Sequence, residues 1–205
     1  FKPDQEIVNL LAKELNCHVL LATLLCTRGI KTLEDARFFL NPDFKNLIDP
    51  FLLKDMNKAV ERILTAVENK EKILIFGDFD ADGVTATALL SDFLEYCDSN
   101  VSWYIPHRIK EGYSLQPGHI QMAIEQEIDL IITVDCGVSS HTAVEKAKFE
   151  DIDIIITDHH EPGPTLPSAI AVIDPKRKDC GSGLEYLAGV GVAFFSGHGV
   201  KEIFQ

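Results

Sequence analysis

Residues 73–83 read Ile-Leu-Ile-Phe-Gly-Asp-Phe-Asp-Ala-Asp-Gly, an apolar run that ends in three alternating aspartates. Such a short run, followed at once by glycine and aspartate, is typical of a buried strand that gives way to a turn. Comparable apolar runs occur at 101–105, 130–134, 152–156 and 171–173. Helical patterns separate these runs, so the sequence predicts an α/β fold, a parallel β-sheet flanked by helices.

The segment before this first strand has a different pattern. From Asp4 to Leu40 the apolar residues fall at helical spacing, and Thr32 can cap a helix that Asn41-Pro42-Asp43 ends. A further amphipathic helix is predicted over residues 54–69. We therefore predict an N-terminal helical lead-in over 1–70, an α/β domain over 71–194 and a divergent tail over 195–205.

The composition describes a chain that can bury a core. It has 205 residues, of which 46% are hydrophobic, and no apolar run approaches the roughly 18 residues of a membrane span. Its five cysteines are odd in number, widely spaced and never in a CxxC pair, which favours reduced thiols. We expect a cytoplasmic protein with no membrane partner. Because the first residue is not Met, we also expect a piece of a longer protein.

The net charge of -13 has the wrong sign for a protein that grips nucleic acid through bulk electrostatics. Two interpretations remain open. Metal ions recruited by the acidic residues supply positive charge locally, or basic surface lies on parts of the parent protein outside this chain.

Four of the five predicted strands are followed by acidic residues or histidines. These are Asp78, Asp80 and Asp82 after the first strand, Asp135 after the third, Asp158, His159 and His160 after the fourth, and Asp174 after the fifth. A single aspartate at a strand end is most often a helix cap or a turn former. Ligands of open α/β sheets, however, bind beyond the carboxyl ends of the strands. Recurrence on several strands therefore favours one shared site.

The residue types at these positions favour a hard divalent cation. Alternation along an extended turn points Asp78, Asp80 and Asp82 the same way. His159 and His160 are adjacent, so their side chains diverge, and we expect one to bind metal and the other phosphate. Mixed carboxylate and imidazole ligands suit manganese or magnesium better than a structural zinc site.

The alternating aspartates also resemble the start of an EF-hand calcium loop. Counting from Asp78 puts Leu89 where that loop needs a bidentate glutamate, and the motif follows a strand rather than a helix. Calcium buffering is therefore excluded.

Cys136, next to Asp135, is a candidate nucleophile. The spacing implies no dedicated histidine base, and a neighbouring metal cluster would bind a thiolate rather than free it. Covalent cysteine catalysis is therefore disfavoured.

Two basic segments are candidate substrate contacts. His107, Arg108 and Tyr113 lie in a loop after the second strand, and Lys176, Arg177 and Lys178 form the densest basic run. Each segment is either a solvated loop or a surface that holds phosphate, with Tyr113 available to stack on a base.

Three motifs resemble those of a known family. Residues 77–83, 134–137 and 157–162 look like the first three motifs of the DHH phosphoesterases. Flanking segments narrow the resemblance to the RecJ branch of that family: 28–30, 39–42, 50–56, 111–113, 174–177 and 187–194.

The resemblance implies a two-metal phosphodiesterase that degrades single-stranded DNA from 5′ to 3′ in repair and recombination, with two manganese or magnesium ions. It also implies roles for individual residues: Asp80, Asp82, Asp135 and His159 as catalytic metal ligands, Asp78 as an additional ligand, His160 as a ligand or phosphate contact, and Asp158 as a residue that orients the histidines.

The chain departs from the family pattern after Phe194. The family continues there into a long helix and later supplies a fourth motif with another ligand aspartate. Residues 195–200 do not continue that pattern, and the C-terminal domains expected of the parent protein are absent.

Two alternative functions remain. One is a DHH phosphodiesterase for oligoribonucleotides or cyclic dinucleotides, which the RecJ-like segment 50–56 disfavours. The other is a catalytically inactive DHH scaffold, which the intact motif residues disfavour.

Overall fold

The computed structural model describes residues 3–204, and its chain divides into two compact units, residues 1–48 and 49–205. The smaller unit contains α1 (Gln5–Glu14), α2 (Val19–Thr27), α3 (Leu33–Leu40) and a 3₁₀ turn at Phe44–Asn46. The Thr32 side chain accepts a 3.0 Å hydrogen bond from the amide of Asp35, so the predicted cap of α3 is confirmed. The buried core of this unit consists of Val8, Leu11, Ala22, Leu25, Cys26 and Ala36.

The larger unit holds the sheet. It begins with a 3₁₀ turn at Pro50–Leu52 and continues with α4 (Met56–Glu68), β1 (Lys72–Gly77), α5 (Ala81–Tyr96), β2 (Asn100–Tyr104), α6 (Pro117–Glu125), β3 (Leu130–Val134), α7 (His141–Phe149), β4 (Asp153–Thr157), β5 (Ala171–Ile173) and α8 (Gly189–Phe204). The five strands are parallel in the order β2-β1-β3-β4-β5. The predicted α/β fold with a parallel sheet is confirmed.

Alternation along the strands separates two cores. Ile73 and Ile75 of β1 belong to one cluster together with buried residues of α4, α5 and α8. Leu74 and Phe76 belong to the other, which includes buried residues of α6 and α7. The sheet is therefore covered on both faces, as its near-continuous apolar strands predict.

The strand register aligns the residues that end four of the strands. Gly77 pairs with Val134, Val134 with Thr157, and Thr157 with Ile173. The next residue on each strand is an aspartate, which gives the row Asp78, Asp135, Asp158 and Asp174. Parallel pairing thus brings four carboxyl groups to one edge of the sheet.

The division between the units differs from the boundary that the sequence predicts at residue 70. It falls between Ile48 and Asp49, so α4 belongs with the sheet. The reason is that the apolar face of α4, with Val60 and Ile63, is buried in the same core as β1.

The predicted break of the helical pattern after Phe194 is wrong. Helix α8 runs without interruption from Gly189 to Phe204. Its small residues fit because α8 packs closely on its neighbours: a Cβ on Gly197 would lie 3.4 Å from the Phe93 ring, and one on Gly199 would lie 3.1 Å from Val60.

Across residues 3–204, no helix combines the length and the apolar character needed to cross a membrane. All five cysteines lie within this range and are free thiols.

Candidate metal centre

The loop between β1 and α5 places the first two aspartates. Asp78 is buried, and its Oδ1 accepts a 2.8 Å hydrogen bond from the amide of Phe79. Asp80 is the N-cap of α5, and its Oδ1 accepts from the amides of Asp82 (2.9 Å) and Gly83 (3.0 Å). A Cβ on Gly83 would lie 2.5 Å from the Asp78 carbonyl oxygen, so this turn needs glycine. Capping uses one Asp80 oxygen and leaves the other for a ligand.

Asp135 lies at the centre of the row. Its backbone has φ 61°, in the left-handed region that aspartate and asparagine tolerate. Its amide extends the ladder by donating to Thr157 O at 3.0 Å, which fixes its position. The side chain is buried, and Oδ1 has no hydrogen-bond partner among the described residues. The nearest cationic candidate is His159 Nε2 at 3.1 Å, within ion-pair distance but without hydrogen-bond geometry.

Asp158 has the hydrogen-bond pattern of a supporting residue. Its Oδ1 accepts from the His159 amide (2.7 Å), the His160 amide (3.1 Å) and His160 Nδ1 (2.7 Å). Its Oδ2 accepts from the Val138 amide at 2.9 Å. These partners fit the predicted role of Asp158 in orienting the histidines rather than binding metal itself.

The partners of the two histidines identify the nitrogens that are left for a ligand. His159 Nδ1 lies 3.0 Å from the carbonyl oxygen of Leu187, and His160 Nδ1 lies 2.7 Å from Asp158. Because a carbonyl and a carboxylate only accept, each Nδ1 carries a hydrogen. Each Nε2 is then the nitrogen that can bind a cation.

The ligand atoms form two overlapping groups. Asp135, His159 and His160 offer three atoms within 4.8 Å of one another, and so do Asp78, Asp80 and Asp135. Asp135 belongs to both groups, as a carboxylate that bridges two cations would. The oxygen and nitrogen donors and the unpartnered buried Asp135 oxygen fit manganese or magnesium.

The pKa values record the crowding of negative charge. Burial, together with Asp82 and Asp80, raises the pKa of Asp135 to about 8. Burial also raises the pKa of Asp78, in part offset by the Phe79 amide. For Asp158 burial acts in the same direction, but the bonds from His160 and Val138 hold its pKa below the ordinary value. A bound cation would relieve the repulsion among these carboxyl groups.

Asp82 is held beside these groups rather than within them. Its Oδ2 lies 3.5 Å from His159 Nε2. Both its oxygens accept hydrogen bonds from the first turn of α8, Oδ2 from Gly189 N at 2.7 Å and Oδ1 from Val190 N at 2.8 Å.

The loop after β2 brings two predicted substrate contacts to the centre. The Tyr113 hydroxyl lies 3.2 Å from His160 Nδ1 and 3.4 Å from Nε2. Arg108 Cζ lies 5.3 Å from the centroid of the Phe79 ring, and Phe79 stands between Asp78 and Asp80. Burial, followed by the nearby carboxylates, raises the pKa of Tyr113, so its hydroxyl keeps its proton and can donate it.

His107 takes part in the structure of the same loop. Its amide donates to Glu111 at 2.6 Å, and its Nδ1 accepts from the Ile109 amide at 3.2 Å. Glu111 also accepts a 2.5 Å hydrogen bond from Tyr104, which ties the loop to β2.

The basic run after β5 divides into two kinds of residue. Lys176 and Lys178 line a groove of about 330 Å³ together with the segment Glu161–Pro164. Arg177 is buried, and its guanidinium binds Asp55 (2.6 Å), Asp179 (2.8 Å) and the carbonyl oxygen of Val172 (2.5 Å). We therefore correct the prediction for Arg177. It is a structural residue, because its donors are already engaged inside the protein.

Two further candidates have structural roles. Cys136 is fully buried, and burial raises the pKa of its thiol, which fits the expectation that it is no nucleophile. Asp174 is also buried, and its Oδ1 accepts from the Lys176 amide at 2.8 Å. Its Oδ2 has no partner among the described residues, and it belongs to neither ligand group.

Sequence reasoning missed the backbone groups that support the site: the amides of Val138, Gly189 and Val190 and the carbonyl of Leu187. The available signal was the segment Leu187-Ala188-Gly189-Val190-Gly191, where a helix begins at a glycine between small residues. That pattern allows close approach but does not say to what.

The comparison with protein families matches residues 72–202 to the DHH family, N-terminal domain. The chain belongs to the DHH family. The match includes all of the predicted metal ligands and continues through most of α8, past the tail boundary that the sequence predicts at residue 195.

Individual DHH proteins are also similar to the chain. It is 44% identical over 197 residues to the single-stranded-DNA-specific exonuclease RecJ of Bacillus subtilis (strain 168), across 96% of this chain and 25% of that protein. A crystal structure of exonuclease RecJ bound to manganese superposes with TM-score 0.69 and 34% identity, over 74% of this chain and 38% of the other. RecJ in complex with Mn²⁺ from Thermus thermophilus gives TM-score 0.77 and 26% identity, over 99% and 28%. The chain therefore spans about a quarter of its curated relative.

Proposed function

We propose that the chain is the metal-binding catalytic part of an exonuclease that degrades single-stranded DNA from 5′ to 3′ by hydrolysing phosphodiester bonds. The observation that carries the proposal is the pair of ligand groups that share Asp135. The 44% identity to a RecJ exonuclease supports the choice of substrate.

The proposed cofactors are two manganese or magnesium ions. Asp78, Asp80, Asp135, His159 and His160 would hold them, with Asp82 beside them. Such cations stabilise the charge on the phosphoryl oxygens and activate water for attack at phosphorus. Asp158 and the Leu187 carbonyl hold the two imidazoles with Nε2 directed at the site.

Substrate contacts are assigned to the loops around this centre. The protonated Tyr113 hydroxyl, next to His160, can donate to a phosphate oxygen. Arg108, stacked on Phe79, offers a guanidinium and a neighbouring aromatic face to a phosphate and its base. Lys176 and Lys178 would hold the DNA backbone further from the reacting bond.

The proposed setting is a DNA repair and recombination enzyme of the cytoplasm. Five free cysteines fit a reducing compartment. Because the chain spans a quarter of its relative, we propose that C-terminal domains of the parent protein complete the grip on DNA and add the fourth motif.

Digestion of end-labelled oligonucleotides tests the proposal, both with this chain and with the full-length product of its gene. With manganese present, 5′-labelled single-stranded DNA should release labelled mononucleotide, and a blunt duplex should resist. Asp135→Asn is the matched inactive variant. Cleavage of a cyclic dinucleotide or an oligoribonucleotide with DNA left intact would establish the alternative phosphodiesterase. Binding of manganese with no hydrolysis of any of these substrates by either protein would identify a scaffold.

A further inference from the structure

The first turn of α8 lies against two of the carboxylates of the metal centre. The amides of Gly189 and Val190 each donate to a different oxygen of Asp82, at 2.7 and 2.8 Å. These amides belong to the first turn of a helix, where no carbonyl of the same helix can accept from them. Asp82 therefore satisfies them, and they fix the orientation of its carboxylate.

Gly189 also faces Asp135 at a distance that only glycine allows. A Cβ on Gly189 would lie 2.4 Å from Asp135 Oδ1 and 2.6 Å from Asp135 Cβ and Cγ. Asp135 cannot move aside freely, because it is buried and its amide is bonded to Thr157 O. The same Asp135 oxygen has no hydrogen-bond partner among the described residues.

We propose that Gly189 is a positioning residue of the metal centre: its missing side chain lets α8 approach Asp135, and that approach brings two amides onto Asp82. The inference rests on the proposed function for the identity of the cation. Each oxygen of Asp82 donates no hydrogen and has a second lone pair, which remains available to the site. The partial positive charge at the start of α8 also favours an ionised carboxylate there.

A methyl group at position 189 would separate these groups. It would push the first turn of α8 away from Asp135, lengthen both bonds to Asp82 and displace the carboxylate that the two ligand groups share. Loss of such supporting contacts typically weakens metal affinity roughly 10- to 100-fold.

Gly191 provides a matched control on the same helix. A Cβ there would lie 3.0 Å from Leu187 Cδ2, the end of a flexible side chain that can shift. Both Gly→Ala changes give α8 the same gain in helix propensity. Only Gly189→Ala places a methyl group on a metal ligand.

Calorimetric titration with manganese compares the wild-type chain, Gly189→Ala and Gly191→Ala, each first shown to be folded by circular dichroism and a cooperative thermal melt without metal. We expect Gly189→Ala to lose roughly 10- to 100-fold in manganese affinity and Gly191→Ala to bind as the wild type does. A folded Gly189→Ala variant with wild-type affinity would overturn the inference.

Amide hydrogen exchange in the wild-type chain and in Asp82→Ala gives a second measurement, which decides the matter if Gly189→Ala does not fold. The amides of Gly189 and Val190 should exchange slowly in the wild type and faster in Asp82→Ala. Equal exchange in both proteins would overturn the inference. Neither measurement uses DNA, so manganese binding without nuclease activity would defeat the proposed function and leave the role of Gly189 standing.

Discussion

His160 Nδ1 lies 2.7 Å from the carboxylate of Asp158, which joins the last histidine of the motif to the end of β4. Asp158 accepts three further hydrogen bonds, all from backbone amides. The carboxylate thus sets the direction of His160 and the path of the chain around both histidines. Its value to the site depends on having two accepting oxygens.

Asp158→Asn should therefore weaken manganese binding while the fold survives. One oxygen becomes an amide group whose hydrogens face a backbone donor, and the chain around the histidines must adjust. We expect a loss of roughly 10- to 100-fold in affinity, measured by titration with manganese. Asp151→Asn, an exposed change on the same segment, is the control and should bind as the wild type does. Unaltered affinity in Asp158→Asn would mean that the histidines hold their places without it.

Asp135→Asn should abolish hydrolysis and raise stability in metal-free buffer. The change removes one of several crowded carboxylates, and asparagine keeps the left-handed backbone that Asp135 adopts, whereas alanine would strain it. We expect the free energy of unfolding in a chelator to rise by about 1 kcal/mol or more. Urea denaturation measures this. A variant less stable than the wild type would show that Asp135 is retained for the fold.

Much of this site could be predicted from the sequence, because strand ends are visible in the pattern and the register of a parallel sheet then aligns Asp78, Asp135 and Asp158. The role of Arg177 could not be predicted. Its partner Asp55 is distant in sequence, and a basic run reads the same whether its members face solvent or the core. The continuation of α8 was also hidden, because Gly197 weakens a helix locally and only packing against α5 compensates for it.

Arg177 and Lys178 are adjacent but should respond in opposite ways to removal. Arg177→Ala leaves the carboxylate of Asp55 without its closest guanidinium in a mostly buried place, and we expect a loss of about 3 kcal/mol in the free energy of unfolding. Lys178 is exposed, so Lys178→Ala should leave stability unchanged. Chemical denaturation of both variants measures the difference. Equal stability of the two would indicate that the ion pair of Arg177 contributes nothing.

Arg108 and Lys176 should contribute to DNA binding rather than to chemistry. An acidic chain must offset its repulsion of a polyanion, and these residues lie beside the metal centre and in the groove after β5. For each phosphate that Arg108→Ala or Lys176→Ala no longer binds, the slope of log affinity against log salt should fall by roughly 0.7 for a single strand. Titration of a labelled oligonucleotide across a salt series measures the slope. If both slopes match that of the wild type, these side chains belong to solvated loops.

Asp174 should make the stability of the wild-type chain depend on pH. It is buried beside Asp158, one of its oxygens has no hydrogen-bond partner among the described residues, and burial raises its pKa from 3.8 to about 6. Because this folded-state pKa lies above the unfolded value, the folded protein keeps a proton between these values that the unfolded chain releases. The free energy of unfolding should therefore fall as pH rises from about 4 to about 6 and stay low above that window.

Asp174→Asn removes this dependence, since asparagine is neutral and its oxygen can still accept from the Lys176 amide. A shift from 3.8 to about 6 is about two pKa units, and at about 1.4 kcal/mol for each unit the variant gains up to about 3 kcal/mol near pH 8. Near pH 4 the wild-type carboxyl is protonated in the folded state, so the two proteins should differ little. Urea denaturation of both proteins in a chelator, at several pH values from 4 to 8, isolates the contribution of Asp174 as a difference. A difference that does not grow with pH would mean that Asp174 is ionised in the folded protein at little cost, with its second oxygen reached by water.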